Sequence, residues 1–305
     1  MTRGLLVAVL GVGLLPSPAF AAASTQPKQL GFATAQQAAD ALVTAAERFD
    51  QQALHEILGP DGGDLVATGD SVQDKNQAAD FAAQAKKKLA LVPDPKNPKR
   101  ITMTVGPEDW PVPVPIVQKS GAWRFDSAAG RREILLRRIG QNELDAIEVC
   151  HGYVEAQEEY ASEPRGGSVL QYAQRVIGTP DKQDGLAWRD PDGTWRGPIG
   201  DKIARAIDEG YSSKAEPYHG YYFKILKGQG AHAPLGQLDY VVKGIMIGGF
   251  ALVAAPADYE VTGVKSFIVS NDGVVFEKDL GPKTLEIFRA MERFDPDPSW
   301  SPVED

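Results

Sequence analysis

Apolar residues recur at helical spacing in some stretches of the chain and alternate in others. Ala38, Ala41, Leu42, Ala45 and Phe49 mark one face of a first helix, opened by a capping box of Thr34 and Gln37. Asp50 is placed to cap a short second helix that reaches Leu58 and stops at Gly59. A third helix is predicted over about residues 72–88. Residues 101–105 then alternate as a strand. Residues 112–118 are apolar, but Pro111, Pro113 and Pro115 restrict them to an edge strand or an extended loop. Ala122, Trp123, Arg124 and Phe125 complete a short strand after a turn at Ser120-Gly121.

A long helix follows, from about Ser127 to Ala161, with Ile134, Leu135, Ile139, Ala146, Val149, Tyr153 and Tyr160 on its apolar side. Ser168 and Gln171 form another capping box, predicting a helix as far as Ile177. Residues 179–198 read as loop, with Trp188 and Trp195 in it, and a further helix is predicted over residues 199–209. Strands are expected at residues 221–227, 238–243, 245–254, 263–269 and 274–277, with a hairpin turn at Asn271-Asp272-Gly273. Pro282 opens a last helix carrying Leu285, Ile287, Phe288 and Met291, and residues 295–298 close the fold. The predicted class is α+β: N-terminal helices plus a small antiparallel sheet, then a long helix packed on a C-terminal antiparallel sheet. The corresponding divisions are 1–23, 24–128 and 129–305.

The first of these divisions is not part of the fold. Arg3 supplies a positive start, residues 4–15 an apolar stretch, Pro16 a break, and Ala19-Phe20-Ala21 a small-x-small cleavage pattern. This grammar predicts a signal peptide, cut after Ala21 or Ala23, and a periplasmic or secreted protein. No cysteine stands at the cleavage point, which argues against a lipid anchor. The uncharged residues 244–255 are too few to span a bilayer and read as a buried strand, so no stable membrane span is expected after cleavage.

Composition sharpens this picture. The 305 residues are 43% hydrophobic and 24% charged, a globular balance. A formal net charge of -9 repels phosphate backbones and anionic lipid, so nucleic acid is not an expected partner. Residues 86–88 and 96–100 are basic exceptions, read as solvated faces, the second in a proline-rich loop. Cys150 is the only cysteine, so no internal disulfide is possible. It reads as a small buried hydrophobe.

No GxSxG, HExxH, CxxC or P-loop pattern occurs, so no catalytic residue, metal ligand or cofactor is assigned. His151 and Glu155 share a helix face, but two ligands do not make a metal site. Glu155, Glu158, Glu159 and Glu163 read as a solvated face, and residues 190–193 as a type I turn with only a faint echo of a calcium loop. His219 stands among Tyr218, Tyr221 and Tyr222 at a predicted strand start, where an imidazole can donate, accept or titrate near neutral pH. With Trp188, these residues are the candidate ligand-binding set. The expected function is non-enzymatic binding or scaffolding in the cell envelope, the partner being an unknown envelope protein or a small ligand. The rival expectation is a hydrolase acting on envelope glycan or peptide, with His219 assisted by Asp239 or Asp184 in an aromatic cleft.

Several phrases of the chain resemble a known family. They are residues 217–223 (PYHGYYF), 246–251 (MIGGFA), Gly263-Val264 with Phe267-Ile268-Val269, Asp272-Gly273-Val274-Val275 and Asp279-Leu280-Gly281-Pro282. With Asp184-Gly185-Leu186-Ala187-Trp188 and Gly210-Tyr211, they resemble the bacterial exported domain-of-unknown-function 2950 family, over most of the mature chain. Ala187 and Lys265 stand where that pattern leads us to expect an aromatic and a small residue. The family implies no activity. The layout of the C-terminal half, a long helix before a Gly-Tyr-aromatic strand and a meander, is also similar to the globular part of pilin-like proteins.

Overall fold

The computed structural model of the protein describes residues 29–65, 71–165, 169–179, 182–199 and 217–304. The expected leader, the Gly210-Tyr211 pair and all but the first residue of the helix expected over 199–209 lie outside the described residues. Two compact units are present, one reaching Gly130 and the other starting at Arg131. Each has its own hydrophobic core.

In the first unit, α1 (Ala35–Arg48) starts where Thr34 Oγ1 accepts from the Gln37 N–H at 3.1 Å. It ends at Phe49, held in the left-handed region at φ 48°. Asp50 caps α2 (Gln51–Leu58) through the Ala53 N–H. Helix α3 (Ser71–Lys87) follows. Strands β1 (Leu89–Asp94), β2 (Asn97–Val105), β3 (Trp110–Pro111), β4 (Ile116–Lys119) and β5 (Ala122–Phe125) then form an antiparallel sheet in the order β1-β2-β4-β5, with β3 also on β2. Ala38, Ala39, Met103, Ile116 and Phe125 are at the centre of the core. Small alanines on α1 let the helix lie close to larger side chains of the sheet.

Three expectations are corrected in this unit. Leu89 to Asp94, not recognised as a strand, pairs along β2 from Leu89↔Val105 to Pro93↔Ile101. Residues 97–100, expected in a loop, are the exposed start of β2. The proline-flanked segment yields an interior strand: β4 begins at Ile116, after the last of the prolines, so its N–H groups are free to pair with β2 and β5.

Helix α4 (Ser127–Ala161) matches its expected span. In the second unit, β6 (Trp188–Arg189) and β7 (Trp195–Arg196) form a small hairpin. The main sheet is built from β8 (Tyr221–Leu226), β13 (Ala251–Pro256), β14 (Lys265–Ser270), β15 (Val275–Asp279) and β16 (Ser301–Pro302), in the order β16-β15-β14-β13-β8, antiparallel throughout. Between β8 and β13 lie the short β9 (Gly228–Gln229), β10 (Leu238–Asp239), β11 (Val241–Val242) and β12 (Ile245–Met246), which form two-stranded pairs. All six residues of β13 are buried, as a strand covered on both faces must be, and α5 (Thr284–Ala290) packs on it. Ala146, Val149, Cys150, Tyr153, Ala156 and Tyr160 of α4 join the same core.

Polar contacts fix α4 against the turn before β14. Glu143 Oε1 accepts from the N–H groups of Val264 and Lys265 at 2.8 and 3.0 Å. Asn142 donates to Thr262 O at 2.8 Å, and Arg138 to Val261 O at 3.2 Å.

The helix expected from Ser168 to Ile177 does not form over its described part. Tyr172 bridges to Met246 and Ile177 to Ala187, so the backbone bonds go to tertiary partners. The predicted loop at 179–198 contains the β6–β7 hairpin. Ile134, placed on the apolar side of α4, is 40% exposed. Only residues 251–255 of the uncharged 244–255 stretch are in the buried strand; Ile247 is 47% exposed. The fold continues past residue 298: Trp300 is buried and β16 pairs with β15.

Cys150 is fully buried, and burial pushes its thiol up to about 12. Only the thiolate alkylates. The native protein should therefore resist iodoacetamide at pH 8 and label fully once denatured in urea. Prompt labelling of the folded protein would show that α4 does not face this core.

Candidate functional site

His219 is not at a strand start but at the tip of a two-residue turn. Tyr218 and Tyr221 exchange backbone hydrogen bonds of 3.1 and 2.9 Å across it. Both central residues are left-handed, His219 at φ 45° and Gly220 at φ 74°. Glycine takes that conformation freely, and a histidine there costs about 1 kcal/mol. Gly220 is also required by space, because a Cβ would lie 2.7 Å from both Asn142 Nδ2 and Thr262 Cβ.

The turn brings His219 to α4. His219 Nδ1 lies 2.6 Å from Asp145 Oδ2, and since a carboxylate only accepts, Nδ1 carries the proton. Asp145 Oδ1 accepts from Gln141 Nε2 at 2.9 Å. The Tyr218 ring stands edge-on to the imidazole, centroids 4.3 Å apart. Asp145 is largely buried, with a side chain 20% exposed, whereas His219 is 45% exposed.

This pair lies at a cleft of about 310 Å³. Asp145, Glu148, Gly152 and Glu155 come from one face of α4, at helical spacing. Val149, Pro198 and Ile199 give it apolar walls, and Tyr218 and His219 complete the lining. Glu155, expected to be simply solvated, is exposed at this cleft. Three carboxylates against one imidazole make the cleft acidic.

The structure divides the predicted ligand-binding set. Tyr218 and His219 line the cleft. Trp188 and Tyr221 are core residues, 8% and 0% exposed. Tyr221 donates to Lys265 O at 2.8 Å, and burial pushes its hydroxyl up. Tyr222 is half-buried and packs on the same core. The five therefore do not present one exposed aromatic surface.

Neither proposed acid partner of His219 is beside it. Asp239 accepts from Arg293 at 2.6 Å. Asp184 accepts from Thr179 N and Oγ1 at 2.6 and 2.7 Å. Partial burial opposes its ionisation, but the two Thr179 bonds and the Arg175 charge outweigh that and hold its carboxyl below the usual range. Asp145 went unrecognised because it is 74 residues from His219 and nothing local links them.

The remaining candidates are dispersed. His151 is exposed while its neighbour Cys150 faces the core. Among the described residues, no three His, Cys, Asp or Glu side chains gather as a metal would need. In the 190–193 turn, Asp190 pairs with Arg196 and Asp192 accepts from the Thr194 N–H. No helix among the described residues is long and apolar enough to cross a membrane.

A family described as Protein of unknown function (DUF2950) matches this chain over residues 29–303. No curated protein and no solved structure matches it.

Proposed function

The chain belongs to the DUF2950 family, whose description assigns no activity, and we propose its function from the site itself: a non-enzymatic cell-envelope protein that binds a small cationic ligand. The carrying observation is the cleft lined by Asp145, Glu148 and Glu155 of α4, with the imidazole of His219 on Asp145. An ammonium group seated there makes charge-assisted hydrogen bonds to carboxylates, while Val149 and Ile199 cover an attached carbon chain. His219 and Tyr218 form the rim. The Asp145 bond holds the imidazole in one tautomer and orientation, so the rim is preorganised and little freedom is lost on binding. Export rests on the Arg3, residues 4–15 and Ala19-Phe20-Ala21 pattern. On that reading, envelope peptides and amines are the cations that the cleft would meet.

Calorimetric titration with putrescine, lysine amide and a lysine-containing peptide, against a neutral disaccharide, tests this reading. An amine should saturate the wild type, and Glu148→Gln or Glu155→Gln should each weaken it about tenfold, or about 1.4 kcal/mol. Absence of saturable heat for every amine, or unchanged affinity in both variants, would remove the reading.

One observation favours a second reading. Asp145 holds Nδ1–H of His219, and Nε2 has no partner among the described residues, as in hydrolases that use the imidazole as a general base. Cys150, in the core, is not the nucleophile of such a reaction. In the same samples, cleavage of envelope glycan or peptide lost in both His219→Ala and Asp145→Asn would favour hydrolysis over binding alone.

A further inference from the structure

A second cleft, of about 290 Å³, lies at the far end of α4 and is lined by Tyr160, Arg165, Gln171, Tyr172, Arg175 and Asp184 among others. Arg165 is unusual there. Its side chain is only 12% exposed. Its guanidinium lies over two aromatic rings, 5.0 Å from the Tyr160 centroid and 4.9 Å from that of Trp188. Such stacking holds the planar group in place without using its N–H donors.

Among the described residues, those donors are mostly uncommitted. Nε donates to Tyr160 O at 3.2 Å. Nη2 is 3.7 Å from a Glu163 carboxylate that is itself 73% exposed and free to swing into solvent. A guanidinium has five N–H donors, and burying them without acceptors is costly. Beneath it, the buried indole N–H of Trp188 also has no acceptor among the described residues. Arg175 is exposed on the same cleft; its carbonyl accepts from Leu186 N–H, its charge acts on Asp184, and its guanidinium makes no hydrogen bond or ion pair among the described residues. Among the described residues of the lining, the one acid, Asp184, is committed to Thr179 through both oxygens.

We propose that this cleft is an oxyanion site: Arg165, clamped on Tyr160 and Trp188, and Arg175 together bind a carboxylate or phosphate group. Arg165 supplies a rigid fork that matches two oxygens, and Arg175 a second charge from the open side. Gln171 spends its amide N–H on Arg165 O, which fixes the backbone at the fork. The site is separate from the Asp145–His219 cleft and does not depend on the reading given to it.

The Trp188 indole provides the test. In two-dimensional nitrogen–proton spectra, its resonance is assigned through Trp188→Phe. The protein is then titrated with inorganic phosphate, with an acetylated dipeptide bearing a free C-terminal carboxylate, and with the same dipeptide as its amide. Phosphate or the free carboxylate should shift the indole signal saturably, and the amide should not. Arg175→Gln, an exposed change that leaves the core untouched, should weaken binding about tenfold. Arg165→Lys keeps the charge but loses the fork, and should abolish the saturable shift. Lys99→Gln, which removes an exposed charge on β2, should leave the anion titration unchanged. Saturation by one anion alone also bears the site out and names its source. No saturation by either anion, equal binding of the amide, or unchanged affinity in Arg175→Gln would overturn it.

Discussion

Replacing Phe267 by alanine should destabilise the protein by about 3–5 kcal/mol, the range for removing a buried aromatic ring. Phe267 is fully buried on β14, between the β13 and β15 neighbours Ala254 and Glu277. Its ring lies 5.9 Å from that of Tyr221, whose hydroxyl is fixed on Lys265. A densely packed core relaxes only in part around a deleted ring, so a cavity should persist. Urea unfolding followed by tryptophan fluorescence reads the loss as a shift of the transition midpoint. Phe267→Leu keeps much of the volume and should cost less than about 1.5 kcal/mol. Near-equal midpoints for the alanine variant and the wild type would mean that the β13–β14 face is not the packed centre described above.

Gln157→Leu should cost about 2–5 kcal/mol, because it strands two backbone groups that each carry a penalty of about 1–3 kcal/mol when buried without a partner. Gln157 is fully buried on α4. Its Nε2 donates to Ala173 O at 2.8 Å and to Tyr153 Oη at 2.9 Å, and its Oε1 accepts from the Ala173 N–H at 2.8 Å. The amide thus stands in for a neighbouring strand at Ala173. Leucine matches the volume but none of the bonds. Hydrogen exchange separates this from a general loss of stability: the Ala173 N–H should accelerate more than amides of β13. Equal acceleration throughout would deny the clamp a local role.

The same clamp explains why one helix was misread. Ser168 and Gln171 offer a capping box, and local sequence carries no sign that a glutamine on α4 takes the Ala173 backbone. Tertiary partners at Met246 and Ala187 then draw off the neighbouring groups. Where local chemistry decides, the reading succeeds: Thr34 and Asp50 cap as expected, and α4 spans its predicted range. Strand β1 was hidden because Pro93, which reads as a breaker, sits at its far end, where the register with β2 shifts.

The candidate site was legible in one half only. His219 stood out by its aromatic neighbours, but its acid lies on another element. Glu155 reads as solvated because helix periodicity does not say which turn will come to lie beside it. Trp188 stands in a predicted loop, where a tryptophan can face a ligand or cover the core. Its burial comes from the β6–β7 hairpin and from Arg165 lying over it, and neither is visible in local pattern.

The main sheet ends in β16, a strand of two residues that pairs only with Phe276 and Glu277. One of the two is Pro302, which has no N–H to offer outward. Without this strand, the five residues of β15 would present an open row of hydrogen-bonding groups to any other extended chain. With it, the growing edge is blunted on that side, and a second molecule finds little to add a strand to. A proline in the outermost strand thus leaves this edge of the sheet poorly suited to pairing with another extended chain.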